Sequence, residues 1–251
     1  MSLLMEPVQM ALVLEVLAVF AHIVKGLTGF GPAIVFVSIG SVFYDPVEVI
    51  VLASVLDVVG GAYLVSLNPD FLENREYWGP IGLLMVAGAV FGSFVLSVLS
   101  VSLFEYLFGA AIVLISFWFL SGRSELDKGS EDTHQLGARD GLVGVFSGFC
   151  GGIVGMGGPP LVAYLGDKFD KGLFRAIIVP VFLMAASSRV LTYGYLGMIE
   201  IGNLWLYVFP PLGVLIGNRI GNHFFEDVEQ KWFTVLIGII LMLSGIRLLI
   251  G

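Results

Sequence analysis

The sequence predicts an all-α integral membrane protein with two inverted repeats, each consisting of a glycine-broken helical hairpin followed by three transmembrane helices. Three observations lead to this prediction. Of the 251 residues, 57% are apolar and 13% are charged, about half the charged fraction of a soluble domain. Two long apolar regions are interrupted by glycines. The two halves of the chain repeat these glycines at a nearly constant spacing.

Composition and motifs exclude several other classes of protein. The single cysteine, Cys150, cannot form an internal disulfide. A net charge of −8 has the wrong sign for a protein that binds nucleic acid. The chain has no phosphate-binding loop, no His-Glu-x-x-His motif and no nucleophile elbow. We therefore expect no enzymatic activity, no metal site and no cofactor. The expected partners are the lipid bilayer and a small molecule.

The apolar stretches define the order of the elements, because a helix needs about 20 apolar residues to cross a bilayer. The stretches that meet this requirement are 47–67, 80–99, 103–121, 174–194, 203–222 and 232–250. Regions 7–43 and 141–166 contain glycine and proline runs that a regular helix does not tolerate at low cost. The hydrophilic stretch 122–140 is the predicted cytoplasmic linker between the first transmembrane repeat, 1–121, and the second, 141–251.

Glycine positions indicate the duplication. A shift of 126 residues places four glycines of the first half on four of the second: Gly26, Gly29, Gly31 and Gly40 on Gly152, Gly155, Gly157 and Gly166. Such self-similarity at a fixed period is the signature of a repeated unit. Spaced glycines at 88–92 and 213–221 lie in predicted uninterrupted spans, and we expect them to form packing faces. These faces could pack within one protomer or between two, so a homo-oligomer is an open alternative.

Basic residues orient the two repeats. With the linker in the cytoplasm, nine of the 12 Lys and Arg residues lie on that side, provided that the basic loop 167–175 also lies there. Region 141–166 must then enter and return on one side, and the second repeat starts opposite to the first. A parallel repeat with four simple spans per half would put loop 167–175 outside. The charges favour inversion, and inverted repeats with interrupted helices are typical of transporters.

Each break begins a new helix inside the membrane, where free N–H groups and the positive end of the helix dipole attract an anion. Glycine permits close approach to the backbone, and a proline suits the first helical turn. Both features occur in Gly31-Pro32 and Gly158-Pro159. The alternative role of these glycines is helix packing. The candidate binding residues at the breaks are Gly29, Phe30, Gly31, Gly155, Gly157 and Gly158.

Four further residues are candidates for binding the same anion. Arg189 is the only basic residue well inside a span; it either holds the anion through several N–H donors or extends to the outer interface. Lys25 precedes the first break, either as a second positive charge at the site or as an interfacial lysine at the tip of the hairpin. Ser187 and Ser188 supply hydroxyl donors or pack between helices.

Three residues are candidates for proton coupling, because ionisable groups in a membrane are costly unless they are paired or hydrated. Asp57 lies halfway along its span and could carry a proton, balance a cation, or bond a neighbouring helix. Glu15 and His22 are seven residues apart, on one face of a helix. They form either a proton relay or a buried pair.

The motifs KGLTGFG (25–31) and GFCGGIVGMGGPP (148–160), together with the length and the duplicated halves, resemble the TauE/SafE family of permeases. This family is also called the sulfite exporter or toluene-sulfonate uptake family. The resemblance covers essentially the whole chain and implies transport of small sulfur-containing anions across the cytoplasmic membrane, with the direction left open. Pro32 follows Gly31 where many members carry another glycine, so the two breaks are not expected to be identical.

Together these observations predict a multi-pass secondary transporter of the cell membrane. It would move sulfite, thiosulfate or an organosulfonate by alternating access, with Asp57 or Glu15 carrying a coupling proton. Two alternatives stay open. A passive anion channel would have the same pore lining, and a non-transporting membrane subunit would scaffold a neighbouring enzyme.

Overall fold

The computed structural model describes residues 7–120, 137–165, 168–169, 171–199 and 204–224, and every regular element in these ranges is helical. A short 3-10 helix, Pro69–Asn74, precedes α4. The α-helices are α1 (Pro7–Thr28), α2 (Pro32–Gly40), α3 (Pro46–Leu67), α4 (Arg75–Val98), α5 (Val101–Leu120), α6 (Ala138–Val154), α7 (Gly158–Leu165), α8 (Lys171–Tyr195), α9 (Leu204–Val208) and α10 (Pro210–His223).

Helices of membrane-spanning length are present, as predicted. Four segments are long and apolar enough to cross a bilayer: Ala11–Thr28, Pro46–Leu67, Pro69–Val98 and Gly172–Tyr195. The last three contain most of the predicted spans 47–67, 80–99 and 174–194. The predicted span 103–121 corresponds to α5, whereas 232–250 lies outside the described residues. The described part of the chain is therefore all helical, and its long apolar helices are those of an integral membrane protein.

Two local predictions were wrong. The stretch 203–222 was expected to be one uninterrupted span, but the helix breaks at Phe209, between α9 and α10. Pro210 and Pro211 have no N–H to donate to the preceding turn, which explains the break. Arg175 was expected in a cytoplasmic loop, but α8 already begins at Lys171, and Arg175 is only 4% exposed.

The glycine breaks lie within the predicted runs but are shorter than those runs. Helix α1 continues through Gly26 as far as Thr28, and α6 continues to Val154. Gly29, Gly31 and Gly155 have φ angles of 82°, 86° and 74°, in the left-handed region that glycine adopts at low cost. A left-handed residue commonly ends a helix, so the breaks follow from local sequence. Pro32 is the first residue of α2.

In both halves the chain runs back along the helix that precedes the break. Gly40, at the end of α2, lies against the Leu17 side chain of α1. In the second half, Lys168 follows α7, and its Nζ lies 2.9 Å from Oδ1 of Asp140 in the first turn of α6. Each broken region therefore forms a helical hairpin.

The spaced glycines form helix-packing faces, as predicted, and the faces pack within one chain, which the sequence had left open. A Cβ at Gly92 of α4 would overlap the carbonyl oxygen of Phe149 of α6, and a Cβ at Gly217 of α10 would overlap that of Val19 of α1. Only glycine permits such close approach between backbones. The pairs α4–α6 and α1–α10 each join the two halves, and α3 packs against α8 between them.

Candidate functional site

The two breaks meet at a cavity of about 30 Å³. In such a cavity volume, the centre of one water molecule needs about 10–15 Å³, so there is room for roughly two waters. Its wall is formed by both breaks, with α3, α4 and α8 closing the sides. The lining residues are Lys25, Phe30, Gly31, Pro32, Ala33, Ile34, Asp57, Met85, Ala89, Gly148, Gly151, Gly155, Met156, Gly157, Gly158, Phe182, Ala185 and Arg189.

Three ionisable side chains line this cavity, and they form one buried cluster. Nζ of Lys25 donates to Oδ1 of Asp57 at 3.2 Å and to its backbone oxygen at 3.0 Å. Nη2 of Arg189 donates to the other carboxylate oxygen, Oδ2, at 3.1 Å. Lys25, Asp57 and Arg189 are 1%, 8% and 6% exposed. The cluster carries two positive charges and one negative charge, so its formal charge is +1.

Arg189 also holds the second break. Its Nη1 donates to the carbonyl oxygen of Gly151 at 3.1 Å and lies 3.5 Å from that of Gly155. The hydroxyl of Tyr193, one turn further along α8, donates to the carbonyl oxygen of Gly152 at 2.8 Å. The last carbonyls of a helix lack partners within it. Here α8 supplies a donor to Gly152 and a second donor to Gly151, which also accepts from the N–H of Gly155. The guanidinium therefore joins the end of a broken helix to the Asp57 carboxylate.

The first break is held from the other end of α8. Nη2 of Arg175 donates to the carbonyl oxygen of Gly26 at 2.8 Å and to Oδ1 of Asn222 at 2.7 Å. Thr28 supports the turn itself, because its hydroxyl accepts from the N–H of Phe30 at 3.2 Å. Both broken helices thus bond an arginine of α8.

The N-terminus of α2 lies at the cavity wall, at the first break. Gly31 is the N-cap of α2 and makes no side-chain cap bond. The first N–H groups of a helix have no partner within it, and Ala33 and Ile34, in the first turn, both line the cavity. Partial positive charge from this terminus adds to the charge of the cluster.

The structure brings most of the predicted site residues together. Eight of them line the cavity: Lys25, Phe30, Gly31, Asp57, Gly155, Gly157, Gly158 and Arg189. Gly29 lies outside the wall, against the Arg175 side chain. The hydroxyls of Ser187 and Ser188 donate to the carbonyls of Leu183 and Ala185 of their own helix.

The other two proton-coupling candidates lie away from the cavity wall. Glu15 is half-buried on α1, where its backbone oxygen approaches Gly213 of α10. His22 is buried beside Gly60 and Asn218, and its Nδ1 lies 3.0 Å from the carbonyl oxygen of Ala18. Neither Nε2 of His22 nor the side-chain amide of Asn218, which is fully buried, has a hydrogen-bond partner among the described residues.

Sequence reasoning missed three polar residues around the site. Arg175 looked like one more cytoplasmic basic residue, and Tyr193 and Asn218 gave no signal beyond being polar groups in apolar stretches. An arginine within the first two turns of an apolar helix is a usable signal, because a buried guanidinium needs acceptors nearby. No three His, Cys, Asp or Glu side chains in the described part of the chain come close enough to hold a metal ion.

Comparison with known proteins adds one match. The model of a family described as sulfite exporter TauE/SafE matches residues 14–248, nearly the whole chain. No curated protein and no solved structure matches the chain significantly.

Proposed function

The chain belongs to the sulfite exporter TauE/SafE family, and from this premise we propose that it is a secondary transporter for a small sulfur-containing anion. The candidates are sulfite, thiosulfate and an organosulfonate, carried across the cytoplasmic membrane by alternating access. The family is one of membrane transporters, which agrees with the apolar helices of spanning length. The proposal assigns the anion to the cavity between the two breaks.

The buried charge of the cluster carries this proposal. Lys25 and Arg189 place two cations on a cavity wall that contains one carboxylate, Asp57. An unbalanced charge in a low-dielectric interior is costly. A bound anion removes that imbalance and accepts hydrogen bonds from the first turn of α2. The size of the cavity favours a compact inorganic oxyanion over an organosulfonate, for which the breaks would have to move apart.

Helix directions support the inverted arrangement within this proposal. Along α3 and α8 the contacts run in opposite order: Asp57 pairs with Arg189, and Gly61, further along α3, meets Leu183, earlier in α8. The two helices correspond to each other under the 126-residue shift, so we assign opposite orientations to repeats 1–121 and 141–251. The same shift places α1 on α6, and α4 on the region of α9 and α10. The packed pair α1–α10 therefore corresponds to the packed pair α6–α4, and each pair joins the two halves.

Alternating access needs a part that moves, and the breaks supply it. Each hairpin is joined at a glycine turn, and both hairpins bond to α8 through Arg175 and Arg189. We propose that α8 couples the two hairpins, so that opening on one side closes the other. The linker 122–140 lies in the cytoplasm in this arrangement.

Proton coupling, through Glu15, His22 or Asp57, belongs to the same proposal. Transport that does not depend on external pH would contradict the proton-coupling part.

The first experiment is thermal unfolding of the purified protein in detergent with sulfite, thiosulfate, methanesulfonate or chloride. A ligand at a hundred times its dissociation constant stabilises the folded state by about 2.7 kcal/mol. We expect at least one of sulfite, thiosulfate and methanesulfonate to raise the melting temperature of the wild type but not that of Arg189→Gln. The control is Arg75→Gln, which removes an exposed arginine at the start of α4 and should respond like the wild type.

Flux into liposomes separates the alternatives. A carrier predicts uptake that saturates with external anion concentration. It also predicts that anion loaded inside the liposomes can drive uptake by exchange. Flux that rises in proportion to the gradient, without saturation, would indicate a channel. The absence of both flux and stabilisation by any anion would overturn the proposal in favour of a non-transporting subunit.

A further inference from the structure

We propose that Asp57 sets the charge of the bound anion, so that the site takes a monoanion in preference to a dianion of the same shape. This inference rests on the proposed function, because it concerns the same cavity. It assigns Asp57 a role in charge selection rather than in binding the anion directly.

The argument starts from the charges on the cavity wall. Lys25, Asp57 and Arg189 are the ionisable residues that line the cavity in the described chain, and the other lining residues are apolar or glycine. Their formal charges sum to +1. A monoanion makes the loaded cavity neutral, whereas a dianion leaves it with a net charge of −1. A net charge is far more costly in a membrane interior than in water.

Both oxygens of the Asp57 carboxylate are held by cations. Oδ1 of Asp57 accepts from Lys25 and Oδ2 accepts from Arg189, so each oxygen is engaged by a different cation. The backbone oxygen of Asp57 also accepts from Lys25, which holds the ammonium beside the residue. An incoming anion therefore meets both cations with their counter-charge in place.

Donors remain for the anion after these bonds are made. The ammonium of Lys25 has three N–H groups, and its two bonds to Asp57 leave one unused. Nε of Arg189 is buried and has no partner among the described residues. A buried donor without a partner calls for an explanation, and an anion in the adjoining cavity would supply its acceptor.

The experiment compares anions that differ in charge but not in shape. Chlorate and sulfite are both pyramidal with the same number of electrons, and at mildly alkaline pH they carry one and two negative charges. Perchlorate and sulfate are both tetrahedral with the same number of electrons, and at neutral pH they carry one and two negative charges. Affinity is measured from the ligand-dependent shift in melting temperature of the purified protein. Because the members of a pair differ in hydration, the informative quantity is how the ratio of affinities changes between variants.

Four variants set the formal charge of the cluster to known values. Asp57→Asn makes the cluster +2, and we expect the monoanion-to-dianion affinity ratio to fall by at least about tenfold. Lys25→Met makes it 0 and should weaken both anions. The double variant Lys25→Met/Asp57→Asn returns it to +1 and should recover the wild-type ratio. Asp57→Glu keeps the charge and should keep the ratio.

The outcomes separate this inference from the proposed function. If Asp57→Asn binds anions with an unchanged ratio, or the double variant prefers dianions, charge selection by Asp57 is overturned while the anion site stands. If no anion stabilises the wild type, the proposed function fails and the inference fails with it. Should Asp57→Asn not fold, Lys25→Met and the double variant still decide the question, because they differ only in the Asp57 carboxylate. The double variant should have the lower monoanion-to-dianion affinity ratio of the two, and equal ratios would overturn the inference.

Discussion

The guanidinium of Arg189 lies 3.1 Å from the carboxylate of Asp57, although 132 positions separate the two residues along the chain. The contact joins the two halves of the protein at the cavity. The same guanidinium donates to Gly151 at the end of α6. One side chain therefore links a helix of the first half to the broken helix of the second.

We expect Arg189→Gln to lower the free energy of unfolding by about 3 kcal/mol, because it breaks a buried ion pair and removes donors from the end of α6. Arg189→Lys should lose less, since it keeps the charge but lacks the fork that reaches both Asp57 and Gly151. Chemical denaturation in detergent measures both variants. Arg75→Gln, an exposed control, should change stability by no more than about 0.5 kcal/mol. Equal stabilities for Arg189→Gln and Arg75→Gln would contradict this account of the contact.

The glycine faces predict a sharp contrast within α4. Gly92→Ala adds a methyl group that overlaps the carbonyl oxygen of Phe149, whereas a Cβ at Gly79 has no atom within 4 Å. Overpacking costs about 1–3 kcal/mol, so Gly92→Ala should lower the melting temperature. Gly79→Ala should leave it unchanged or raise it slightly, because alanine favours a helix over glycine by about 1 kcal/mol. A destabilised Gly79→Ala, or a stable Gly92→Ala, would show that α4 and α6 do not approach closely here.

Alanine substitution of two glycines with similar backbone angles distinguishes the effect of backbone strain from an effect on anion binding. Gly155 and Gly197 have φ angles of 74° and 70°, so alanine at either position costs roughly 1–2 kcal/mol. Gly155 lines the cavity and its Cβ would lie 3.3 Å from side-chain carbons of Ile50 and Val37, whereas a Cβ at Gly197 has open space. We expect similar losses of stability, but only Gly155→Ala should reduce the stabilisation by anions. A similar reduction in Gly197→Ala would mean that general strain, not the break, affects binding.

The base of the second hairpin should show a dependence on alkaline pH. Burial lowers the pKa of Lys168, but hydrogen bonds from its ammonium to Tyr164 and Asp140 outweigh this effect and raise it above its ordinary value of 10.5. A raised pKa in the folded state stabilises the fold fully below the unfolded value, and this contribution is lost as pH rises through the folded value. The melting temperature should therefore fall more steeply above about pH 10.5 in the wild type than in Lys168→Gln. Parallel pH profiles of the two proteins would rule out this contribution.

Local sequence predicted the breaks well, because the causes are local. A glycine at positive φ commonly ends a helix; Gly29 follows the end of α1, Gly155 caps the end of α6, and Gly31 is the N-cap of α2. The interruption at Phe209 had an equally local cause in Pro210 and Pro211, and the apolar character of 203–222 hid it. Apolar composition predicts that a segment lies in the membrane, but it does not show whether the helix is continuous.

The roles of the charged residues could be predicted only in part. Lys25 and Arg189 were identified singly, as cations near a break and within a span. Their shared partner could not be deduced, because Asp57 lies on α3 and the contact depends on how three helices from both halves pack. Arg175 was misplaced for a related reason. Its burial depends on acceptors from Gly26 and Asn222, which lie 149 and 47 positions away in the chain.

By itself the sequence determined that the chain is helical and lies in a membrane, and that two glycine breaks interrupt it, because hydropathy and glycine conformation act over a few neighbouring residues. The tertiary structure decided which groups meet at the breaks. It placed Asp57 between Lys25 and Arg189, and it left Ser187 and Ser188 bonded to their own helix. The net charge of the cavity depends on which side chains come within a few ångströms of one another, and that is decided only when the two halves pack together.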